Sequence, residues 1–161
     1  MFKKINKLTK ILIPSETSSG ERRVSATPEA VKKLKSLGCD VYIESSAGKL
    51  SGFSDLSYEE SGGTILNNLD QKIWGEADLI FCVQTPSEDN LTNLKKGAVL
   101  LGLLNPYGNK DLLRIISSNK ISALSLELLP RISRAQSSDV LSSQANIACL
   151  LYTSPSPRDP D

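Results

Sequence analysis

Continuous apolar runs, rather than alternating ones, are the main signal along this chain. The runs LIFCV at 79–83 and VLLGLL at 99–104 contain no polar side chain. Such runs are typical of strands that are covered on both faces, as in a parallel sheet. With the shorter apolar segments, they predict strands at Lys10–Ile13, Asp40–Ser45, Thr64–Leu66, Asp78–Val83, Val99–Leu104 and Ile121–Leu128.

Helical periodicity fills the segments between these strands. Thr27 is a typical N-cap with Pro28 at the first helical position, and Gly38 follows the last turn of the same helix. The other predicted helices are Ser54–Ser61, Leu69–Trp74, Ser87–Lys96 and Lys110–Ser118. Because strands alternate with helices throughout, the sequence predicts an α/β fold. We expect a three-layer, doubly wound, mainly parallel sheet of flavodoxin-like or Rossmann-like type, with Phe53, Trp74 and Phe81 in its core.

Composition excludes several classes of function. The 161 residues are 39% hydrophobic and 23% charged, which suits one globular domain. A net charge of +1 gives no basic footprint for nucleic acid, and no apolar run is long enough for direct membrane insertion. The chain has no histidine, and its three cysteines form no CxxC pair. We therefore predict no metal site and no histidine general base.

The segment Pro130–Asn146, PRISRAQSSDVLSSQAN, is the densest group of hydrogen-bonding side chains. It follows a predicted strand and opens a helix, where open α/β sheets bind ligands. Arg131, Arg134, Gln136 and Asp139 could offer multidentate hydrogen bonds to an amide or a charged ring. The residues alone leave a second interpretation open, in which a serine or Asp139 caps the next helix and the arginines are solvated.

Four segments together resemble one family in order and spacing. They are IPSETSSGERRVSATPEAVKKL at Ile13–Leu34, VYIESSAGKLSGFSD at Val41–Asp55, EADLIFCVQTP at Glu76–Pro86, and the polar segment after Pro130. They resemble the NAD(H)-binding α subunit of proton-translocating NAD(P) transhydrogenases, a family related to alanine dehydrogenase. The resemblance covers roughly Thr9–Ala148.

The resemblance implies an N-terminal domain over residues 1–148 that closes over the nicotinamide end of NAD. Arg131, Gln136, Asp139 and Ser142 match positions that contact or orient the nicotinamide and its ribose. Gln136 and Asp139 would be the catalytic positioning residues, with Arg131 paired to Asp139. Direct hydride transfer to NADP on a partner requires alignment of two rings and no proton acceptor at carbon.

The glycines of this chain do not match a dinucleotide motif. There is no GxGxxG and no GxxxxGK[ST], so we expect that the chain does not hold NAD by itself. In the resembling families the glycine turn belongs to a second, NAD-binding domain, which we expect to be absent from the 161 residues. The segment Cys149–Asp159, CLLYTSPSPRD, resembles the translation of an adapter used in sequencing libraries. We therefore expect residues 149–161 to be a non-native tail.

The resemblance also implies partners and a location. It predicts membrane and NADP-binding transhydrogenase subunits, a homodimer of α subunits, and a cytoplasmic position peripheral to the inner membrane. Hydride transfer between NAD(H) and NADP(H) would be coupled to proton translocation through these partners. A second interpretation, from another class, is a non-catalytic fragment or interaction module without a cofactor site.

Alanine dehydrogenase is the rival within the same fold. The resemblance implies that its first domain holds pyruvate with an arginine and a lysine and uses a histidine for proton transfer. Arg23 matches that arginine, whereas Gln84 stands at the lysine position and Asn105 lies close to the histidine position. The absence of this lysine and this histidine favours the transhydrogenase. We expect Arg23 to be structural, paired with a carboxylate such as Glu21 or Glu44.

Overall fold

The computed structural model describes residues 9–67 and 71–129 of the chain. The chain divides into two compact units, Met1–Ser125 and Leu126–Asp161. Of the second unit, the described portion is a 3₁₀ turn at Leu126–Leu128 and the residue after it. The sheet, the helices and the cleft described below all belong to the first unit.

The first unit is built on a parallel six-stranded sheet. Its strands are β1 Thr9–Ile13, β2 Cys39–Glu44, β3 Thr64–Leu66, β4 Leu79–Phe81, β5 Val99–Gly102 and β6 Ser122–Ser125. Their order is β3-β2-β1-β4-β5-β6, and each neighbouring pair runs parallel. The predicted doubly wound parallel fold is confirmed. The order is that of the Rossmann fold, which decides between the two types the sequence left open.

Helices connect the strands in every crossover. They are α1 Pro28–Ser36, α2 Asp55–Glu60, α3 Gln71–Glu76, α4 Glu88–Thr92 and α5 Lys110–Asn119, with a 3₁₀ turn at Lys49–Ser51. The predicted cap of α1 is confirmed, because the Thr27 hydroxyl accepts a hydrogen bond from the Ala30 amide at 3.3 Å. Gly38 ends this helix in the left-handed region, with φ +82°. Within the described residues, no helix is long and apolar enough to cross a membrane.

Two predicted strands end earlier than expected, although the backbone pairing continues. The regular strands β4 and β5 stop at Phe81 and Gly102. Beyond them, the Cys82 amide still donates to the Leu101 carbonyl at 3.0 Å, and the Leu103 amide donates to the Val83 carbonyl at 2.9 Å. The apolar runs therefore marked the paired length of backbone, which exceeds the regular strands.

Two predicted elements are wrong at their carboxyl ends. The helix predicted at Ser87–Lys96 ends at Thr92, because the side chains of Thr92 and Asn93 both donate to the Asp89 carbonyl and compete with the helical backbone. The strand predicted at Ile121–Leu128 ends at Ser125 and is followed by a 3₁₀ turn. A short apolar run does not by itself distinguish a strand from a turn.

Two hydrophobic clusters cover the sheet. Successive strand residues alternate between them: Leu12 and Ile80 belong to the first, and Ile11 and Ile13 to the second, which places the clusters on opposite faces. Trp74 is buried in the first cluster, as predicted. Phe53 and Phe81 are partly buried and pack against the second.

Tyr58 anchors the second cluster to the loop before α1. Its side chain is completely buried, and its hydroxyl donates to the Ala26 carbonyl at 2.8 Å. Burial raises the pKa of Tyr58 to about 12, so the phenol stays protonated as a donor. This bond fixes the segment that leads from the end of β1 into α1.

Candidate functional site

The residues predicted to contact nicotinamide, namely Arg131, Gln136, Asp139 and Ser142, lie outside the described residues, as does Arg134. Their roles therefore stay predictions. What the structure describes is the carboxyl edge of the six-stranded sheet, where the chain after β1 meets the chain after β4. The strand order reverses between these two strands, so this edge is the topological switch point at which Rossmann-type sheets bind ligands.

A polar cleft of about 400 Å³ opens at this switch point. The hydrogen-bonding side chains that the loops after β1 and β4 and the start of α4 contribute to it are Ser15, Glu16, Thr17, Gln84, Thr85, Ser87 and Asn90. Glu44 from the end of β2 and the indole of Trp74 also line it. Among the described lining residues there is no lysine or arginine, so the cleft offers carboxylates, amides and hydroxyls without a cation.

Glu16 joins the two sides of the switch point. Its carboxylate accepts the Val83 amide at 2.5 Å and the Gln84 amide at 3.0 Å, one bond on each oxygen. These two amides lie beyond the end of β4 and face the chain that follows β1. Glu16 therefore acts as a bridge that holds the floor of the cleft in place.

Burial disfavours the negative charge of Glu16, and its hydrogen bonds favour that charge. Burial raises the pKa of Glu16 above its ordinary 4.5, with a smaller contribution in the same direction from Glu21. The two backbone amides and the charge of Arg23 oppose this rise. Geometry favours the ionised form, because only a carboxylate accepts both amides without presenting a proton of its own.

Replacing Glu16 with glutamine tests this bridge. The amide keeps one acceptor oxygen but turns an NH₂ group towards the second backbone amide, which loses its partner. We expect the free energy of unfolding to fall by about 1–2 kcal/mol, the cost of one half-buried unsatisfied donor. Urea denaturation of the two proteins at neutral pH measures the difference.

The matched control is Glu59→Gln, at an exposed carboxylate on α2. We expect it to change the free energy of unfolding by less than about 0.5 kcal/mol. Equal effects of the two substitutions would contradict the bridging role of Glu16.

A second cluster lies behind Glu16 and consists of Glu21, Arg23 and Gln84. Arg23 donates its Nε to Glu21 Oε1 at 2.7 Å and its Nη2 to Glu21 Oε2 at 2.6 Å, a bidentate pair. The side-chain amide of Gln84 donates to the same Oε2 at 3.0 Å. The Glu21 side chain is 7% exposed and that of Arg23 is 40% exposed.

The structure confirms the expectation that Arg23 pairs with Glu21. Glu44, the other carboxylate considered, instead accepts the Ser15 amide at 2.7 Å. The Arg23 guanidinium, with the Gln84 amide and the Arg23 backbone, lowers the pKa of Glu21 to about 2 against the opposing effect of burial. The carboxylate of Glu21 is therefore charged throughout the physiological range.

This pKa gives the Glu21 pair a defined pH dependence. A carboxyl whose pKa falls from 4.5 to about 2 on folding contributes stability above pH 4.5 and loses it as the pH falls from 4.5 towards 2. Because Arg23 is partly exposed and the pair is screened by solvent, we expect about 1–2 kcal/mol at neutral pH. Comparing the free energy of unfolding of the wild type with that of Glu21→Gln at pH 7, 5, 4 and 3 tests this.

The difference in the free energy of unfolding between the wild type and Glu21→Gln, the stability gap, should stay constant from pH 7 to 5 and become smaller at pH 4 and 3. Lys33→Gln is the matched control, because Lys33 forms an exposed ion pair with Glu29 on α1. A gap for Glu21→Gln that is no larger than that control would show that the pair adds no stability.

Asn105 follows β5 at the same edge of the sheet. It adopts a left-handed conformation with φ 45°, and its carbonyl accepts the amides of Gly108 and Asn109, both at 3.1 Å. Its amide side chain is packed so closely against Gly108 that a Cβ at that position would lie 2.6 Å from Asn105 Nδ2. Asn105 therefore shapes the turn that follows β5.

Glu16 is the residue that sequence reasoning missed. It lies within the segment IPSETSSGERR, in which Arg23 is the residue that resembles a ligand-binding arginine. A signal was present, since a carboxylate three residues after a buried strand at a switch point faces the amides of the neighbouring strand end. Within the described stretches of the chain, no group of histidine, cysteine, aspartate and glutamate could hold a metal ion.

Comparisons with known proteins identify a family and several relatives of this chain. The family described as alanine dehydrogenase/PNT, N-terminal domain, matches residues 12–148. The chain is 41% identical over 144 residues to an NAD(P) transhydrogenase subunit alpha polypeptide of Rhodospirillum rubrum, covering 86% of this chain and 37% of that protein. It is 32% identical over 126 residues to alanine dehydrogenase 1 of Staphylococcus aureus, covering 78% and 33% respectively.

A solved structure agrees with the sequence comparison. The transhydrogenase from Sinorhizobium meliloti superposes with a TM-score of 0.80 at 40% identity, over 86% of this chain and 41% of that chain. The chain thus spans 33% to 37% of the length of the two curated relatives named above.

Proposed function

The chain belongs to the alanine dehydrogenase/PNT N-terminal domain family, and from that premise we propose that it forms a portion of the NAD(H)-binding α subunit of a proton-translocating NAD(P) transhydrogenase. The observation that supports this most strongly is the side chain at position 84 of the cleft. Gln84 supplies a neutral amide that is bonded to Glu21, at the position where the resembling alanine dehydrogenases have a lysine. Nothing at this position can protonate a reacting carbonyl or imine.

The connection from β1 to α1 supports a division of labour between domains. In a dinucleotide-binding Rossmann domain this connection is rich in glycine and points backbone amides at the pyrophosphate. Here it contains Gly20 as its one glycine between β1 and α1, and it places Glu16 and Glu21 at the switch point. Because Glu21 is paired with Arg23 and the connection has no glycine-rich turn to bring backbone amides close to a pyrophosphate, we propose that the phosphates of NAD are held by a second domain.

The residues proposed to hold the nicotinamide end belong to the polar segment Pro130–Asn146, which the sequence predicts to lie between a strand and a helix. Arg131, Gln136, Asp139 and Ser142 would orient the ring and its ribose through hydrogen bonds, with Arg131 paired to Asp139. Bound NAD would supply hydride exchange at the ring carbon, while NADP is held by a partner. The contribution of this chain is orientation and exclusion of water, because hydride exchange moves no proton at carbon.

The assembly and location are also proposals. We propose that the subunit works as a homodimer together with membrane and NADP-binding subunits that couple hydride transfer to proton translocation. It would lie on the cytoplasmic side, peripheral to the inner membrane through these partners. The identity to polypeptides named as an α subunit supports the presence of such partner subunits.

Alanine dehydrogenase is the second candidate, and the presence of Arg23 favours it. An assay of both reactions separates the candidates. In the full-length protein assembled with its partner subunits, we expect NADH to reduce NADP⁺, and we expect pyruvate plus ammonium to leave NADH unchanged. Oxidation of NADH by pyruvate and ammonium would establish alanine dehydrogenase instead. If neither reaction occurs, the result supports a non-catalytic module.

A further inference from the structure

The start of the chain, MFKKINKL, carries a pattern that the proposed function does not use. Its apolar and basic residues alternate in groups, with Met1, Phe2, Ile5 and Leu8 apolar and Lys3, Lys4 and Lys7 basic. With the periodicity of an α-helix, the apolar positions fall within an arc of about 120° and the lysines fall on the opposite side. The first acidic residue of the chain is Glu16. A basic amphipathic segment of this kind is typical of chains that bind a membrane surface.

The fold determines where this segment joins the domain. Strand β1 begins at Thr9, which pairs with Cys39 at the start of β2, so residues 1–8 lead into the amino edge of the sheet. The switch-point cleft lies beyond the carboxyl ends of β1 and β4, at the opposite edge. A surface bound through residues 1–8 would therefore meet the amino edge, and the cleft would face away from it.

Two further lysines lie at the amino edge, at the corner formed by the starts of β5 and β6. Lys96 precedes β5 and Lys120 precedes β6. The Gly97 amide donates to the Lys120 carbonyl at 3.0 Å, which brings the two lysines to the same corner. Both residues are exposed, and within the described part of the chain neither forms an ion pair. This Lys96–Lys120 corner can therefore attract an external anion.

The other charges of the amino edge do not cancel this corner. Three lysines already form ion pairs there, namely Lys10 with Glu76, Lys35 with Asp40 and Lys95 with Asp78. The carboxylates of Glu59 and Glu60 lie at the end of α2 beside β3, which is the other end of the sheet from β5 and β6. The excess of positive charge is therefore on the half of the edge from β1 to β6, and residues 1–8 enter at β1 with three more lysines.

We propose that residues 1–8 and the Lys96–Lys120 corner form a surface that binds anionic phospholipid directly. The apolar residues of the segment enter the interface, and the lysines contact the phosphate groups. Eight residues span only about 12 Å as a helix, so the segment lies on the membrane and does not cross it. This contact goes beyond the proposed function, in which partner subunits hold the chain at the membrane.

Vesicles without any partner subunit test the proposal. The full chain is sedimented with vesicles of phosphatidylcholine and phosphatidylglycerol in equal amounts, and separately with vesicles of phosphatidylcholine alone. We expect binding to the anionic vesicles that weakens as salt is added, and much weaker binding to the neutral ones, because salt screens exposed charges. Equal binding to the two kinds of vesicle would overturn the proposal, and so would binding to neither.

Substitutions in the segment and at the corner locate the contact. Replacing Lys3, Lys4 and Lys7 together with glutamine should weaken binding about 100-fold, since each lysine near an anionic surface contributes about fivefold. Lys96→Gln with Lys120→Gln should weaken it about tenfold. Phe2→Ser should also weaken it about tenfold, because an aromatic ring no longer leaves water. An unchanged affinity in any of these three variants would overturn the proposed surface.

The matched control is Lys49→Gln with Lys110→Gln. These lysines are exposed and follow β2 and β5 at the carboxyl edge, so the control removes the same charge from the opposite side of the domain. We expect it to weaken vesicle binding by less than about twofold. A loss equal to that of Lys96→Gln with Lys120→Gln would show that the attraction is general to the chain, which would contradict a surface at the amino edge.

Failure of the proposed function would look different from failure of this inference. The assembled complex would then not reduce NADP⁺ with NADH, while the chain and its variants bound vesicles in the expected order.

Discussion

Replacing Trp74 with alanine is expected to lower the free energy of unfolding by about 3–5 kcal/mol, the usual cost of truncating a buried tryptophan. The indole is 2% exposed and packs in the hydrophobic cluster that contains Leu12, Ile80 and Leu100. It also lines the switch-point cleft, so its loss would merge a core void with that cleft. Since a native domain has only about 5–15 kcal/mol of stability in total, the variant should be near its unfolding limit.

The measurement requires a probe other than fluorescence, because Trp74 is the single tryptophan. Urea unfolding followed by far-ultraviolet circular dichroism provides it. Trp74→Phe should retain more than half of the lost stability, since the phenyl ring fills much of the same volume. Leu50→Ala, at an exposed leucine, is the surface control. Similar losses for Trp74→Ala and Leu50→Ala would show that the indole does not support the core.

The fold could be predicted from the sequence because its strands are buried on both faces. LIFCV and VLLGLL show the continuous apolar character that a covered parallel strand requires, and β4 and β5 are both paired on two sides within the observed sheet. The cap at Thr27 and the glycine at 38 set the start and end of α1 for local reasons. The strand order was beyond sequence reasoning, because order depends on which faces pack together rather than on any local pattern.

The ends of elements were predicted less well, and the reasons are local competition and side-chain chemistry. At the end of α4, Thr92 and Asn93 bond to the Asp89 carbonyl, an effect that hydrophobic periodicity does not register. The end of the strand predicted through Leu128 was set by a turn within an apolar segment. Apolar periodicity identifies the buried face of an element better than its last residue.

The candidate site was predictable only to a limited extent, because its contacts join residues far apart in the chain. The pairing of Arg23 with Glu21 spans two residues and was foreseen. The bonds from the Val83 and Gln84 amides to Glu16 span 67 and 68 residues, and they arise because β1 and β4 are neighbours in the sheet. A cluster of this kind appears only once the strand order is known.

In the full-length protein assembled with its partners, replacing Asp139 with asparagine or Gln136 with alanine is expected to slow hydride transfer about 100-fold. Both residues are proposed to orient the nicotinamide rather than to move a proton. Hydride exchange between two rings is steep in distance, and a misplacement of about 1 Å is enough for a loss of this size. Single-turnover oxidation of NADH by NADP⁺ measures the step directly, and a separate NADH titration should show less than about tenfold weaker binding.

This split between rate and affinity distinguishes positioning from simple binding. A residue that only binds the cofactor would weaken the affinity for NADH and leave the single-turnover rate at saturation unchanged. The matched controls are Asp89→Asn on α4 and Gln71→Ala on α3, both at exposed side chains remote in sequence from the polar segment. Unchanged single-turnover rates in both Gln136→Ala and Asp139→Asn would remove these residues from the site. The cleft at the switch point, with Glu16 and the Glu21–Arg23 pair, would then be the next surface to test for contact with the nicotinamide.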